Sequence, residues 1–314
     1  MISFYLFCAS KILSSYLIPE LVFSIECENL STIKFVKKEP SIQLRNKQWP
    51  NHWKTPDGDI VLSHRKDFTG HWLRFLNLAD FKISLDGYQV TCFPAKAVPD
   101  ETIRHLLLDQ VLPRVLAFHG KLMFHASAVK FGEGVLLFMG DSRAGKSTLA
   151  GALHRAGYSA LCDDCVWIKE QDGQVIALPS YPGLRLWGDS VDVLFGSKQT
   201  TQRMAHYSTK QRINLLGLDS VIYQSGAPLL GVILLQPSND PGTPLDLQLQ
   251  GLREGYLSII KQSFFLDQGD IAQLQAKMQK LAEITPKINI WRLNYPRDYD
   301  QLPIIQDLIL KTVR

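Results

Sequence analysis

Residues 140–147 read GDSRAGKS, and this stretch constrains the fold more than any other part of the 314-residue chain. It matches the pattern G-x-x-x-x-G-K-[ST], which binds phosphate when a strand precedes it and a helix follows it. The apolar run GVLLFMG leads into it, and a helical pattern from Ser147 to about Ala156, ended by Gly157, follows it. The sequence therefore predicts a strand, a phosphate-binding loop and a helix, in that order.

Such a loop directs backbone N–H groups and the first turn of its helix towards phosphate oxygens. Lys146 would neutralise the β- and γ-phosphates, and the Ser147 hydroxyl would ligate Mg²⁺. The alternative is a glycine-containing turn that binds nothing. We predict a nucleoside triphosphate and Mg²⁺ as the bound species, with nucleotide contacts from Gly140, Asp141, Ser142, Arg143, Ala144, Gly145, Lys146, Ser147 and Thr148.

Two adjacent carboxylates, Asp163 and Asp164, follow the next predicted strand, YSALC, after one short helix. A helix of ten residues is about 15 Å long, enough to return the chain alongside its starting strand and place the pair beside the loop. Two neighbouring carboxylates both stay charged when a cation lies between them, so the pair suits a metal ligand and a base. A solvated turn is the alternative.

The stretches GDSRAGKSTL and GYSALCDD together resemble the HPr serine kinase and phosphorylase family and its ATP-dependent phosphoenolpyruvate carboxykinase relatives. The stretches YLIPEL, FHASAV, YPGLRLW and LNYPRDYDQLP resemble, more specifically, the HPr-kinase-related proteins encoded with lasso-peptide and other peptide-modifying genes. The resemblance extends over nearly the whole chain. It implies an α/β fold with an HPr-kinase and carboxykinase-like P-loop core and a β-rich N-terminal module.

The resemblance also implies a reaction, in which the γ-phosphoryl group of ATP passes to a serine or other hydroxyl of a small peptide or protein, including a ribosomally made lasso-type precursor. By position, Asp163 resembles the catalytic base of the family, and Asp164 resembles the residue that orients or ligates the metal. The order of these two roles stays open. His125 corresponds to the histidine that faces the active site in HPr kinases, although a histidine in an apolar strand is also a common core residue.

Arg143 departs from the family pattern, which usually has glycine there. A Cβ at this position costs energy if the backbone takes a positive φ, so Arg143 either adds a cation near the phosphates or weakens nucleotide binding.

Phosphoryl transfer needs more positive charge than Lys146 and Mg²⁺ supply. Arg185 is one catalytic candidate, and the polar stretch 195–226 contains others. That stretch is either a lid or substrate-binding loop, or an ordinary solvated loop. Its basic residues include Lys198, Arg203, Lys210 and Arg212.

We predict two domains, a β-rich N-terminal module over residues 1–99 and an ATP-binding kinase domain over residues 100–314. The boundary lies at a helix, ETIRHLLLDQVLPRVLAFHG, capped by Asp100, kinked by Pro113 and ended by Gly120. Further along, GQVIALP, LLGVILLQP and INIWRL predict strands, and residues 269–284 and 302–313 predict amphipathic helices.

Composition limits the partners. The formal net charge is +4 without a basic run, which argues against nucleic acid or membrane binding. No window approaches the roughly 18–20 apolar residues of a membrane-spanning helix. The apolar start MISFYLFCAS lacks a basic n-region, so it predicts a buried strand and not a signal peptide. Five cysteines favour reduced thiols and a cytoplasmic location, with Cys162 and Cys165 as structural thiols.

The sequence leaves three alternative functions open. The first is the peptide kinase, for which the resemblance also makes self-association plausible. The second is a protein that binds ATP and recognises a peptide without modifying it. The third is a carboxykinase-like enzyme, although the chain shows no equivalent set of carboxylate-binding arginines and metal-binding histidines.

Overall fold

The N-terminal third of the protein is a single mixed sheet. The computed structural model describes residues 2–23, 30–40, 48–55, 57–196, 199–215 and 221–313. Its first strands are β1 (Ser3–Leu6), β2 (Lys11–Ser14), β3 (Val22–Phe23), β4 (Thr32–Lys37), β5 (Asn51–Lys54), β6 (Ile60–Asp67), β7 (Gly70–Phe75), β8 (Ala79–Ile83) and β9 (Gln89–Pro94). They pair in the order β3-β1-β2-β4-β9-β8-β7-β6-β5. The sequence LVFSIEC predicts a strand over residues 21–27, of which residues 24–27 lie outside those described.

The predicted helix after this sheet is present and contains an irregular turn. It consists of α1 (Asp100–Leu106), a π-helical turn (Leu107–Val111) and α2 (Leu112–Phe118). The wide turn comes directly before Pro113, which lacks the N–H that a regular α-helix would use. The expectation that Asp100 caps the helix was wrong, because Pro99 holds the N-cap position and Asp100 pairs with Lys37.

This helix packs on the first sheet. Leu107 and Val111 are fully buried in the same core as Phe35 and Phe81 of the strands. That core also includes Met123, so it continues into the following part of the chain. The division at residues 99 and 100 stays a prediction.

The remaining elements build a second sheet with helices on both faces. In chain order they are β10 (Leu122–Phe124), β11 (Ser127–Phe131), β12 (Gly134–Met139), α3 (Lys146–Arg155), β13 (Ser159–Cys162), β14 (Val166–Gln171), β15 (Gln174–Pro179), β16 (Leu184–Leu186), α4 (Gly188–Phe195), β17 (Gln202–Arg203), β18 (Gln211–Ile213), α5 (Ile222–Ser225), β19 (Ala227–Ser238), β20 (Asp246–Leu249), α6 (Leu252–Lys261), α7 (Ile271–Ile284), β21 (Ile290–Pro296) and α8 (Leu302–Val313). The sheet order is β10-β14-β15-β19-β12-β11-β13, with β21 and β20 joined beside β19.

The middle of this sheet is parallel, since β12, β19 and β21 run in one direction. Helices α3, α4 and α8 share one core with it, and α5, α6 and α7 share the core of the opposite face. Strands β16, β18 and β17 form a separate small sheet. The fold is therefore mixed α/β. Among the described helices, none has the length and apolar character that a bilayer crossing requires.

The path from the loop to the two aspartates differs from the prediction by one strand. Strand β13 pairs with β11 and not with β12, so the chain does not return alongside its starting strand. Since β11 is antiparallel to both neighbours, β13 runs parallel to β12. Parallel strands end at the same edge of a sheet, which still brings Asp163 and Asp164 to the edge where the loop begins.

Candidate functional site

The loop between β12 and α3 is held in a fixed shape from β21. Gly145 precedes the helix with φ +89°, and a Cβ there would lie 2.6 Å from the Tyr295 hydroxyl oxygen. That hydroxyl donates to the carbonyl oxygen of Ala144, at 2.5 Å. Arg297 donates to the carbonyl oxygen of Arg143 at 2.8 Å. Glycine is thus required at position 145 by conformation and by space.

Two non-glycine residues beside this loop have left-handed backbone. Arg143 has φ +66° and Asp164 has φ +75°. Each such residue costs on the order of 1 kcal/mol or more, and such residues cluster at binding sites. The positive φ that would make glycine favourable at position 143 is therefore present, with an arginine in its place.

Lys146 lies against the loop that it follows. Its side chain is buried, and Nζ donates to the carbonyl oxygens of Gly140, at 2.8 Å, and Asp141, at 3.1 Å. Burial lowers the pKa of Lys146, while Asp164 and Asp163 act in the opposite direction. The ammonium group is therefore positioned at the mouth of the loop, on backbone oxygens that an incoming anion could replace.

The two aspartates face different ways. Asp163 is 2% exposed, and it accepts hydrogen bonds from the Ser127 hydroxyl, at 2.5 Å, and from the Arg185 backbone N–H, at 3.1 Å. Asp164 instead lines the cavity beside the loop. Burial alone would raise the pKa of Asp164, but Arg185 and His125 together hold it well below its usual range. Asp164 is therefore a carboxylate that stays ionised at the cavity surface.

Arg185 connects this carboxylate to a second one that the sequence did not reveal. Its guanidinium pairs with Asp164 through Nη1 and with Asp109 through Nη2, the latter at 2.7 Å. Asp109 lies in the π-helical turn, is 1% exposed, and also contacts the Tyr181 hydroxyl and His105 Nδ1, each at 2.5 Å. Burial opposes the charge on Arg185, but the two carboxylates outweigh it and raise its pKa. The sequence signal for Asp109 is a carboxylate on the apolar face of a helix.

His125 lies in a break between two strands. The stretch LMFHASAV, around the motif FHASAV, predicts one strand, but β10 ends at Phe124 and β11 begins at Ser127. The break leaves the His125 side chain 36% exposed, with Nε2 at 3.1 Å from Asp164 Oδ1. His125 lines the cavity beside the loop and a second cavity on its other side. The core-histidine alternative does not describe this position.

The first cavity has a volume of about 440 Å³ and is strongly cationic. Ser147 and Thr148 at the start of α3 also line it. So do five lysine and arginine side chains, namely Arg143, Lys146, Arg185, Lys210 and Arg297. We call this space the loop cavity.

The basic stretch after α4 contributes unequally to the loop cavity. Lys210 lines it, 5.4 Å from the ring centroid of Trp187. Arg212 does not line it and forms an ion pair with Glu20 at 3.4 Å. Arg203 likewise lies elsewhere and donates to the carbonyl oxygen of His206. Lys198 lies outside the described residues.

A smaller and more apolar pocket, of about 250 Å³, adjoins the loop cavity at Gly145 and Thr148. Its other walls come from α3, the segment after β21 and α8, and include Leu149, Tyr295, Tyr299, Leu302 and Ile305. The second cavity at His125 has a volume of about 460 Å³. It is lined by Trp53, Arg114, Ser142, residues 260–265 and Gln268. We call this space the outer cleft.

The residues at the loop cavity fit a hard divalent cation. The Ser147 hydroxyl and the ionised Asp164 carboxylate line the same cavity and offer oxygen donors, which Mg²⁺ prefers. The thiols nearby do not offer donors, because burial raises the pKa of Cys162 and of Cys165. Cys162 instead donates to the carbonyl oxygen of Cys165, at 3.3 Å, which agrees with a structural role.

Comparisons with known proteins leave the chain without an assigned family. No protein-family model matches it, and no curated protein matches it either. Among solved structures, it is similar to the Hpr(Ser) kinase/phosphatase from Coxiella burnetii, with 16% identity over 60% of this chain and 89% of that chain. The TM-score of this match is 0.32, which is too low to assign a fold or an activity.

Proposed function

We propose that this protein is a Mg²⁺-dependent kinase that transfers the γ-phosphoryl group of ATP to a serine or other hydroxyl of a small peptide or protein. The observation that supports it most directly is the loop cavity, where a G-x-x-x-x-G-K-S loop, an ionised Asp164 and five basic side chains meet. That combination suits a triphosphate and a metal ion. The resemblance found in the sequence points to a ribosomally made precursor peptide as the acceptor. The cysteine usage points to the cytoplasm as the location.

The nucleotide would lie along the loop and the start of α3. The phosphates would take the backbone N–H groups of residues 142–148 and the ammonium of Lys146, once Nζ leaves the carbonyl oxygens of Gly140 and Asp141. The adjoining apolar pocket, with Tyr299 and Leu302, has the character of a nucleobase site.

Mg²⁺, when bound, would neutralise charge on the β- and γ-phosphates. Ser147 and Asp164 are the residues that would hold it. Arg185 keeps Asp164 ionised and fixes its carboxylate, so Arg185 acts as a positioning residue in this scheme as well as a cation at the cavity wall.

The acceptor would enter through the outer cleft, because His125 and Ser142 line both that cleft and the loop cavity. The acceptor oxygen would bond to the γ-phosphorus while the bond to the bridging oxygen of ADP breaks, and the acceptor proton would pass to a base. Asp163 has that role in the sequence-based prediction. The geometry adds His125 as a second candidate, since its ring faces both spaces whereas both Asp163 oxygens already accept hydrogen bonds.

A second candidate function is supported by the same placement of Asp163. A carboxylate that is 2% exposed and doubly hydrogen-bonded is poorly placed to take a proton, and Arg143 occupies a strained position in the loop. A protein that binds ATP and a peptide without phosphoryl transfer would tolerate both features.

Intact mass spectrometry distinguishes the two functions. The protein is incubated with Mg²⁺, ATP and a serine-containing precursor peptide, and we expect the peptide to gain one phosphoryl group. Lys146→Ala should abolish the gain, while Lys96→Ala, at an exposed lysine outside the loop cavity, should leave it unchanged. Saturable Mg·ATP binding with no mass gain on any hydroxyl peptide would favour the binding function instead.

A further inference from the structure

A second group of polar side chains lies between the first sheet and the segment after α6. His64 on β6 and His71 on β7 point to the same face, with ring centroids 5.4 Å apart and His64 Nε2 at 3.1 Å from His71 Nδ1. Asp267 faces both rings, with carboxylate oxygens at 3.8 Å from His64 Nδ1 and 4.0 Å from His71 Nδ1. One donor atom from each residue lies within 4.8 Å of the other two.

Hydrogen bonds among these groups leave the carboxylate without a proton donor from either ring. The Asn51 side-chain amide contacts His64 Nδ1 at 3.3 Å. If the Asn51 amide donates to Nδ1, the His64 proton lies on Nε2, which donates to His71 Nδ1. If the amide is turned so that its oxygen accepts, the His64 proton lies on Nδ1, and His71 Nδ1 donates to His64 Nε2. In both arrangements Asp267 receives no ring proton, and among the described residues it accepts a hydrogen bond from the Gly269 N–H at 2.9 Å.

The two histidine rings are enclosed. Both are at most 1% exposed. In addition, His71 Nε2 has no hydrogen-bond partner among the described residues. The cluster therefore places ring nitrogens and a carboxylate together in a nearly enclosed space.

We infer that His64, His71 and Asp267 bind one Zn²⁺ ion, with water as the fourth ligand. Zinc–nitrogen bonds of about 2.0–2.1 Å place the donor atoms of a tetrahedral site about 3.3 Å apart. His71 Nδ1 lies 3.1 Å from His64 Nε2 and 4.0 Å from an Asp267 oxygen. One donor atom of each residue lies within 4.8 Å of the others, so the rings and the carboxylate need to move closer together to complete the site. Two imidazoles and a carboxylate are a donor set that zinc takes in proteins.

The ion has a route to this site. Asp267 is 10% exposed, while the histidines are enclosed, and Asp267 also lines a cavity of about 370 Å³ between α2 and α7. Water and an ion can therefore reach the carboxylate first and the rings second.

Zinc at this position would join two parts of the chain. The histidines belong to the first sheet, whereas Asp267 follows Phe264 and Phe265, which line the outer cleft. The ion would hold that segment against the first sheet. This assignment does not depend on the proposed kinase activity.

Metal stoichiometry and cobalt spectroscopy test the inference on the full-length protein. Metal-free protein is mixed with Zn²⁺ or Co²⁺ alone, desalted and measured by inductively coupled plasma mass spectrometry and visible absorption. We expect one ion per chain, a four-coordinate Co²⁺ d–d spectrum without a thiolate charge-transfer band, and a higher melting temperature with Zn²⁺. His71→Ala and Asp267→Asn should each remove the ion and the spectrum.

Two controls keep the outcome decisive. His52→Ala, at an exposed histidine of the same sheet, should retain full stoichiometry. Asp267→Asn conserves size at a partly exposed position, so it reports on metal binding even if His71→Ala does not fold. Failure of the wild-type protein to retain an ion, or equal retention by Asp267→Asn, would overturn the assignment. A thiolate band would do the same, since it would move the ion to cysteine.

Discussion

Two buried cations in different regions of the molecule have opposite pKa shifts. Arg185, beside the loop cavity, is 4% exposed, and Lys277, beside the cavity at Asp267, is 8% exposed. Burial opposes the charge on both. For Arg185, the carboxylates of Asp109 and Asp164 outweigh burial and raise the pKa. Lys277 donates only to the carbonyl oxygen of Phe264 among the described residues, and burial lowers its pKa to about 7.

The opposite pKa shifts of Arg185 and Lys277 indicate which kind of ligand each region suits. Around Arg185, fixed charges of both signs are paired within the protein, and further cations remain along the loop cavity for an anion. Around Lys277, His64 and His71, burial holds the basic groups towards their neutral forms, in which nitrogen lone pairs are available. The first region suits phosphates, and the second suits a metal ion. Four predictions test this contrast, from the largest expected effect to the smallest.

Arg185→Met should destabilise the fold most, because it leaves the buried carboxylate of Asp109 and the partly buried carboxylate of Asp164 without their shared cation. Breaking a buried ion pair from one side costs about 3–5 kcal/mol in free energy of unfolding. Urea denaturation measures this loss, with Arg253→Met as the control at an exposed arginine. If the two variants lose equal stability, the paired charges around Arg185 are not what distinguishes its region.

His125→Asn should slow phosphoryl transfer by about 100-fold or more if its ring accepts the acceptor proton. Asp163→Asn should do so if the sequence-based assignment holds. Single-turnover rates with Mg·ATP and a serine peptide compare the two, and isothermal titration with a non-hydrolysable ATP analogue checks binding, which should stay within about twofold for a lost base. A loss of binding that matches the loss of rate would assign the residue to the nucleotide site.

Lys277→Met should raise the free energy of unfolding at pH 7, by on the order of 1 kcal/mol, because an uncharged side chain replaces a poorly solvated ammonium. The pKa of Lys277 is lower in the folded protein than in the unfolded chain. Its burial therefore costs most below about pH 7, and the cost fades as the pH approaches 10.5. Thermal unfolding across this range measures the gain, with Lys96→Met as the matched control. A gain that does not shrink with pH would mean that packing, and not charge, is responsible.

Arg143→Gly should produce the smallest change in stability, a gain of roughly 0.5–1 kcal/mol, because glycine adopts φ +66° without strain. It should also weaken ATP binding several-fold, since it removes one cation from the loop cavity. Arg143→Asn is the matched variant, because asparagine tolerates left-handed backbone and lacks the charge. Unchanged affinity in both variants would show that the Arg143 side chain does not act on the phosphates.

Local sequence patterns were sufficient for much of this architecture. The strand before the loop, the helix after it and the two C-terminal helices follow from apolar periodicity, and Gly157 marks the end of the helix after the loop. Helix α6 was missed because Gly255 lies inside it, where glycine argues against a helix. The structure gives the reason, since a Cβ there would lie 2.8 Å from Ile290 Cδ1.

Side-chain contacts between residues far apart in the sequence could not be predicted from local patterns. Nothing near Arg185 indicates that its partner is Asp109, 76 residues earlier. His125 was found only through the family resemblance, because its break in the strand depends on the elements around it. Similarly, the cluster of His64, His71 and Asp267 joins residues about 200 positions apart, and neither histidine stands in a ligand motif.

The position of Asp109 has a thermodynamic consequence. Its neighbours Leu107 and Val111 are buried in the core of the first sheet, while its carboxylate holds the arginine that orients Asp164. We therefore expect ligand affinity at the loop cavity to be coupled to the stability of that core, and such coupling is reciprocal. A nucleotide that tightens the Asp164–Arg185–Asp109 series should protect backbone amides of the first sheet from hydrogen exchange, and loosening that sheet should weaken nucleotide binding by the same factor.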